Sequence, residues 1–328
     1  MTIFLPNVEK MRAYSPKEKV AQLRAEFNQA SAQSTSNTPP RKVIFLGPCS
    51  IHNPKADLEL ALHIQALQKE YPDFLFVFRA HLEKPRSSHF WRGFLLDPSL
   101  DGSCRLEEGV TASREFLLQL IELNIPTSYE FIDPFLAPYV EDLITVGLIG
   151  ARTVYSQTHR QLAASLSMPV IFKNSLDGRL DGALDACQVA QKGLITPKLG
   201  LSGPELVFAK NPYTHLMLRG GHDGSNIELL ESAHAAFKEL DLTGSVFIDC
   251  AHQNSSKDPD LQLQLLEQLL TSPTKASGFM VECHLQKGSQ SFSATPAPGL
   301  SITDPCIAIS AIEALMKNVT AEWSCHRS

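Results

Sequence analysis

Eight short apolar segments, most of them followed by a helical pattern, constrain this chain more than any other feature. They are Val43–Leu46, Leu75–Phe78, Ser128–Phe131, Ala151–Val154, Val170–Lys173, His215–Arg219, Val246–Asp249 and Gly278–Glu282. Such runs are typical of strands buried on both faces, as in a parallel sheet covered by helices. Asn53-Pro54 opens a helix to about Glu70, with Leu58, Ala61, Leu62 and Leu67 on its buried side. Leu261–Leu270 and Pro305–Val319 carry further helical patterns. Eight βα periods predict an α/β fold, a (β/α)8 TIM barrel. A doubly wound open sheet is the alternative, but no glycine-rich dinucleotide turn supports it.

The predicted barrel occupies residues 42–328, and residues 1–41 form an N-terminal extension and linker. Ser15-Pro16-Lys17-Glu18 has the form of a capping box with proline at the first helical position. Val20, Leu23 and Phe27 follow as one apolar stripe, which must dock on its own domain or on a partner chain. Ala30–Pro40 is rich in Ser, Thr, Gln and Pro and reads as a linker. Two stretches interrupt the βα alternation: a long loop over Ser87–Gly109, and Leu194–Tyr213, read as an added hairpin between strands five and six.

Composition removes several classes of function. The net charge is -6, against a general nucleic-acid binder. No apolar run is long enough to span a bilayer. The seven cysteines form no CxxC pair, which points to free thiols in a reducing, cytoplasmic compartment.

In a barrel the C-terminal strand ends converge on one mouth. Here they carry Cys49, Arg79, Glu130, Arg152, Lys173, Arg219, His252 and Glu282, almost without apolar residues. Each has an ordinary explanation when taken alone. Cys49 suits core packing, Arg152 and Arg219 could pair with Glu130, His252 could be a satisfied loop histidine, and Asp304 could cap a helix. Jointly they separate into two chemistries. Cys49, His252, Glu282 and Asp304 combine thiolate, imidazole and carboxylates, a donor set for one divalent transition metal such as Mn, Fe, Co, Zn or Cu. Arg79, Lys84, Arg152, Lys173 and Arg219 form a cationic nest for a small, highly charged anion, and Arg86 and Ser87 continue it.

These residues bring a resemblance into view. The chain resembles class I 3-deoxy-D-arabino-heptulosonate 7-phosphate (DAHP) synthase, of the subgroup sensitive to aromatic amino acids. The matching pieces include Gly47-Pro48-Cys49-Ser50-Ile51-His52, Glu83-Lys84-Pro85-Arg86-Ser87-Ser88, Gly150-Ala151-Arg152-Thr153, Phe172-Lys173-Asn174 and Leu218-Arg219-Gly220-Gly221. His252-Gln253-Asn254-Ser255-Ser256-Lys257, Val281-Glu282-Cys283-His284 and Ser301-Ile302-Thr303-Asp304 complete the set in family order. The resemblance implies condensation of phosphoenolpyruvate with erythrose 4-phosphate, the first step of the shikimate pathway. It implies metal ligands Cys49, His252, Glu282 and Asp304, and phosphoenolpyruvate contacts Arg79, Lys84, Arg152, Lys173 and Arg219. Arg86 and Ser87 would take the erythrose phosphate, with Asp304 near its hydroxyl end. Lys84 would donate a proton to the aldehyde oxygen, while Glu130 and Lys173 steer a water. His252 is counted among the catalytic residues. A homodimer or homotetramer with an aromatic amino acid effector is the implied assembly.

Departures accompany the match. Lys173-Asn174-Ser175-Leu176-Asp177-Gly178 replaces the family's Lys-Asn-Gly-Thr-Asp-Gly, and Gly299-Leu300 stands where Gly-Lys is usual. Lys198–Val207 lacks the Trp-Gly-His-Ser-Ala-Ile run of the family hairpin, which bears on effector control. A sister family, 3-deoxy-D-manno-octulosonate 8-phosphate synthase, reads Lys-Ala-Asn-Arg-Ser where this chain has Lys84-Pro85-Arg86-Ser87, so the four-carbon acceptor is favoured. The competing readings are a synthase using another phosphosugar and a catalytically silent homologue that binds pathway metabolites or partner enzymes.

Overall fold

In a computed structural model, residues 5–12, 14–32, 41–86 and 91–326 are described, with side chains described as far as Val319. In chain order the elements begin with α1 (Val8–Met11), α2 (Lys17–Ser31), β1 (Lys42–Leu46), α3 (Pro54–Glu70), β2 (Phe74–Arg79), α4 (Leu106–Glu122), β3 (Thr127–Glu130) and β4 (Val146–Ile149). They continue with α5 (Gln157–Ser165), β5 (Val170–Lys173), α6 (Asp181–Lys192), β6 (Leu194–Gly200), β7 (Gly203–Ala209) and β8 (Thr214–Leu218). Last come α7 (Leu230–Glu239), β9 (Val246–Asp249), α8 (Pro259–Thr271), β10 (Gly278–Met280), β11 (Cys283–His284), β12 (Ile307–Ala308) and α9 (Ile309–His326). Eight of these strands close a parallel barrel in the order β1-β10-β9-β8-β5-β4-β3-β2. The expected (β/α)8 fold is therefore present. The hairpin is present too: β6 and β7 pair antiparallel, Ile195 opposite Phe208 and Pro197 opposite Leu206.

Strand side chains alternate in direction, so one phase of each strand faces the barrel axis. Val43, Phe45, Leu75, Val77, Val146, Leu148, Ile171, Met217, Phe247 and Met280 form the interior cluster. The opposite phase, including Ile44, Phe76, Phe172, Leu216, Ile248 and Phe279, packs under the helices as part of the larger core. Phe27 and Ala30 of α2 belong to the interior cluster. The Phe27 ring stacks on Phe247 at 6.2 Å and lies 6.1 Å from Phe45 and 6.0 Å from His215. The N-terminal helix therefore docks on its own barrel and fills the end opposite the strand C-termini. Arg24 fastens it, donating to the carbonyls of Ile144 at 2.9 Å and Glu141 at 2.8 Å. Burial beside these rings pushes the His215 imidazole down to about 4.

Several local expectations are corrected. The fourth strand is Val146–Ile149, and Ala151–Val154 is the turn beyond it. No side-chain capping bond starts α2, because Pro16 rather than Ser15 takes the cap position. Ala30 and Ser31 belong to that helix, and the remaining expected linker, residues 33–40, lies outside the described residues. Leu62 is half exposed, and Ile64 and Leu60 supply the buried face of α3 instead. The last helix starts at Ile309, so Asp304 caps nothing; the segment between pairs as β12 with β11.

Truncating Phe27 to Ala removes the ring that fills the barrel end, and a loss of about 3–5 kcal/mol is expected. Urea unfolding followed by circular dichroism measures it. A loss below about 1 kcal/mol would make the helix a dispensable appendage.

Candidate active site

The inward phase that fills the barrel continues two residues further and changes character. Val77 is followed by Arg79, Ile171 by Lys173, Met217 by Arg219, Phe247 by Asp249 and Met280 by Glu282. A cavity of about 310 Å³ opens above them, lined among others by Arg79, Lys84, Arg86, Glu130, Arg152, Lys173, Arg219, His252 and Asp304. Most of the expected strand-end residues thus share one mouth. Ser87 lies outside the described residues.

Two glycines make room for this crowding. A side chain at Gly150 would meet Glu130 Oε1 at 2.2 Å. Gly47 has φ +153°, and a Cβ there would lie 2.9 Å from the Arg79 backbone nitrogen.

Cys49, Glu282 and Asp304 each present a ligand atom, all within 4.8 Å of one another. Soft sulfur and hard oxygens converging at this range fit a divalent transition metal. His252 is adjacent but outside that three-residue group: its Nε2 stands 4.0 Å from Glu282 Oε1. Its Nδ1 is 2.9 Å from Asp249 Oδ2, a close but bent contact. Burial pushes the Cys49 thiol up, and the Glu282 and Asp304 carboxylates push it further against the pull of Lys84. Burial also works against charge on Asp304, but Lys84 and Lys257 outweigh it and hold the carboxyl below its ordinary value. Glu282 is held low in the same way, by Arg79, His252 and Lys84.

The cations divide by what they already touch. Arg79 is almost fully buried and donates to Glu282 Oε1 at 3.0 Å and to the Pro48 carbonyl at 2.9 Å. Lys84 reaches the Cys49 carbonyl at 2.9 Å and its Sγ at 3.2 Å. Lys173 is paired with Asp249 at 2.8 Å. Arg86 donates from Nε to the Trp91 carbonyl at 3.1 Å. Burial lowers the Arg219 guanidinium, with Asp249 opposing and the nearby Arg152 adding to the effect. Leu176, one of the departures, lines the same cavity.

Three further residues adjoin the site. Asp249 is legible in the sequence only as the last residue of a strand, three positions before His252. Lys257 pairs with Asp304 at 3.1 Å and lines the cavity. Glu83, beside Lys84, accepts a hydrogen bond from Tyr129 in a buried setting.

A closed parallel barrel with reactive and charged groups gathered at its C-terminal mouth is an α/β-barrel enzyme. The chain belongs to the DAHP synthetase I family, whose model matches residues 29–316. It is 36% identical over 291 residues to the Trp-sensitive phospho-2-dehydro-3-deoxyheptonate aldolase of Escherichia coli strain K12, covering 86% of this chain and 84% of that one. The Tyr-sensitive enzyme of Salmonella typhimurium is 35% identical over 298 residues, 87% of this chain and 83% of its own. The solved phospho-2-dehydro-3-deoxyheptonate aldolase of Francisella tularensis superposes with a TM-score of 0.89 at 32% identity, covering 98% of each chain.

Burial raises the Glu83 carboxyl to about 7 from the usual 4.5, against the hydrogen bond from Tyr129. A carboxyl raised on folding favours the native state fully below its unfolded value, and the advantage is withdrawn as pH climbs to the folded one. Glu83→Gln, which cannot ionise, should gain on the parent by roughly 3 kcal/mol between pH 4.5 and pH 7.5. Urea midpoints of both proteins across that range test this. A difference flat in pH would show that Glu83 ionises without cost.

Proposed function

We infer that this chain condenses phosphoenolpyruvate with erythrose 4-phosphate and water, giving DAHP and phosphate, the reaction of its family. The observation that carries this for its own residues is the junction, in one mouth, of a thiol–carboxylate group and a rim of cations. Arg79, Lys84, Arg152, Lys173 and Arg219 would hold the phosphate and carboxylate of phosphoenolpyruvate. Arg86, with Ser87 beside it in sequence, would take the phosphate of erythrose 4-phosphate, and Asp304 its hydroxyl end. Holding two mutually repelling anions within reach is the main contribution of these cations.

Cys49, His252, Glu282 and Asp304 would hold one divalent transition metal, of Mn, Fe, Co, Zn or Cu. Bound there, it would supply Lewis acidity toward the aldehyde. The new C–C bond joins C3 of phosphoenolpyruvate to the aldehyde carbon, and Lys84 delivers a proton to the aldehyde oxygen. Water adds at C2 of phosphoenolpyruvate and gives up a proton, with Glu130 and Lys173 orienting it. Breaking the C2–O bond then releases phosphate and leaves the keto acid.

The reading extends to a homodimer or homotetramer, an aromatic amino acid effector of the kind in the relatives' names, and a cytoplasmic setting. Free thiols at Cys49, Cys104, Cys187, Cys250, Cys283 and Cys306 support that setting. No helix among the described residues is long and apolar enough to cross a membrane.

Phosphoenolpyruvate consumption with erythrose 4-phosphate should vanish after EDTA treatment and return with added Mn. In Cys49→Ala it should fall at least about 100-fold and not be restored by Mn. Inactivity under every metal would overturn the reading, as would full activity of Cys49→Ala in metal-free buffer.

Arg86→Ala should raise the KM for erythrose 4-phosphate about tenfold or more, with the KM for phosphoenolpyruvate little changed. Steady-state kinetics with each substrate varied would separate the two. Equal weakening of both would remove the assigned role.

A further inference from the structure

Asp249, a carboxylate with no part in the reaction above, lies beneath both halves of the site. It ends β9 in the inward phase and is completely buried. Both of its oxygens are engaged. Oδ1 accepts from the Ala251 backbone N–H at 3.0 Å, and Oδ2 faces Lys173 Nζ at 2.8 Å and His252 Nδ1 at 2.9 Å. Its carbonyl accepts from Asn254 Nδ2 at 2.8 Å, and the same amide donates to the Leu218 carbonyl at 3.0 Å, so the turn carrying His252 is tied back to the ends of β9 and β8.

That turn is strained where it matters. His252 has φ +56°, a left-handed backbone that a side-chain-bearing residue adopts only where its surroundings hold it. An imidazole whose Nδ1 carries the proton toward a carboxylate has only Nε2 left to offer a lone pair. Nε2 is the nitrogen on the Glu282 side, 4.0 Å from Oε1. Lys173 is a flexible point charge, yet it is fixed from two sides, by Asp249 and by Met280 Sδ at 3.7 Å.

We propose that Asp249 is the positioning residue that couples the two halves of the site. It turns His252 so that Nε2 faces the Cys49–Glu282–Asp304 group, and through the same oxygen it holds Lys173 on the anion side. The proposal rests on the reading of His252 as a metal ligand and Lys173 as a phosphoenolpyruvate contact. One oxygen serves two donors, so removing its charge should loosen two chemically unrelated ligands at once. A purely structural residue would lower stability without this paired effect.

The test uses the full-length protein stripped of metal by chelation under reducing conditions. Co²⁺ is titrated in and followed by the near-ultraviolet charge-transfer band of the Cys49 thiolate. Phosphoenolpyruvate is titrated separately by calorimetry, without metal or erythrose 4-phosphate. In Asp249→Asn, Co²⁺ should bind about 10–100-fold more weakly, the usual loss when a ligand's supporting group is removed. Phosphoenolpyruvate should also bind more weakly, whereas Lys173→Met should weaken phosphoenolpyruvate alone. Unchanged Co²⁺ affinity in Asp249→Asn would overturn the coupling role. Absence of the thiolate band in the parent protein would overturn the metal-site reading itself, and the proposal with it. Nitrogen-15 histidine spectra of the Zn²⁺-loaded parent need no variant: a proton on Nδ1 with metal on Nε2 is expected for His252, and the reverse would overturn the proposal.

Discussion

A parallel barrel admits only one side-chain phase of each strand to its axis, and everything at the mouth of this protein depends on that constraint. On β2, β5, β8, β9 and β10 the inward phase runs from an apolar residue to a charged or polar one within a single two-residue step. That step is about 7 Å of strand. Apolar side chains below exclude water from the underside of the charges above. The charges must then find partners within the protein, because an unpaired buried ion is far costlier than a paired one. Arg79 with Glu282 and Lys173 with Asp249 are those partnerships.

Pairs of this kind contribute little net stability, since desolvation offsets most of their attraction. Their value lies in geometry. A cation held by a buried carboxylate is already oriented when the substrate arrives, so little reorganisation accompanies binding. Arg219 also has a neighbour of its own sign in Arg152. Their proximity, together with burial, works against the charge of Arg219. An anion placed between them would relieve that repulsion, which favours a ligand with more than one negative group.

The barrel is legible in the sequence because burial on both faces leaves a simple trace. β5 and β9 coincide with the runs Val170–Lys173 and Val246–Asp249. β4 was displaced because its own residues, Val146-Gly147-Leu148-Ile149, include a glycine, which weakens the strand signal. The structure supplies the reason for that glycine: a Cβ there would stand 3.0 Å from the Phe131 ring. The start of α9 is not legible in the sequence, because β12 exists only through its ladder with β11, a long-range pairing without local trace. In the site, residues carried by compact motifs, such as Lys84 and Arg86 or Gly150 and Arg152, were legible. Asp249 was not singled out, because its role depends on which groups two other loops bring to it. Glu83 and Tyr129 were hidden for the same reason, as neighbours across strands rather than along the chain.

Electrostatics accounts for the combination of thiol and carboxylates at one point. Cys49, Glu282 and Asp304 are three acidic donors within 4.8 Å, and as anions each disfavours the charge of the others. Burial and the two carboxylates accordingly drive the thiol up. The single positive charges of Arg79, Lys84 and Lys257 compensate the carboxylates, which remain below their ordinary values. They do not bring the thiol down as well. On the proposed reading, a divalent cation would carry the charge needed to ionise the third donor, and its binding would release the thiol proton. The same surroundings that make the bare thiol a poor anion would then favour a multiply charged metal over a monovalent ion.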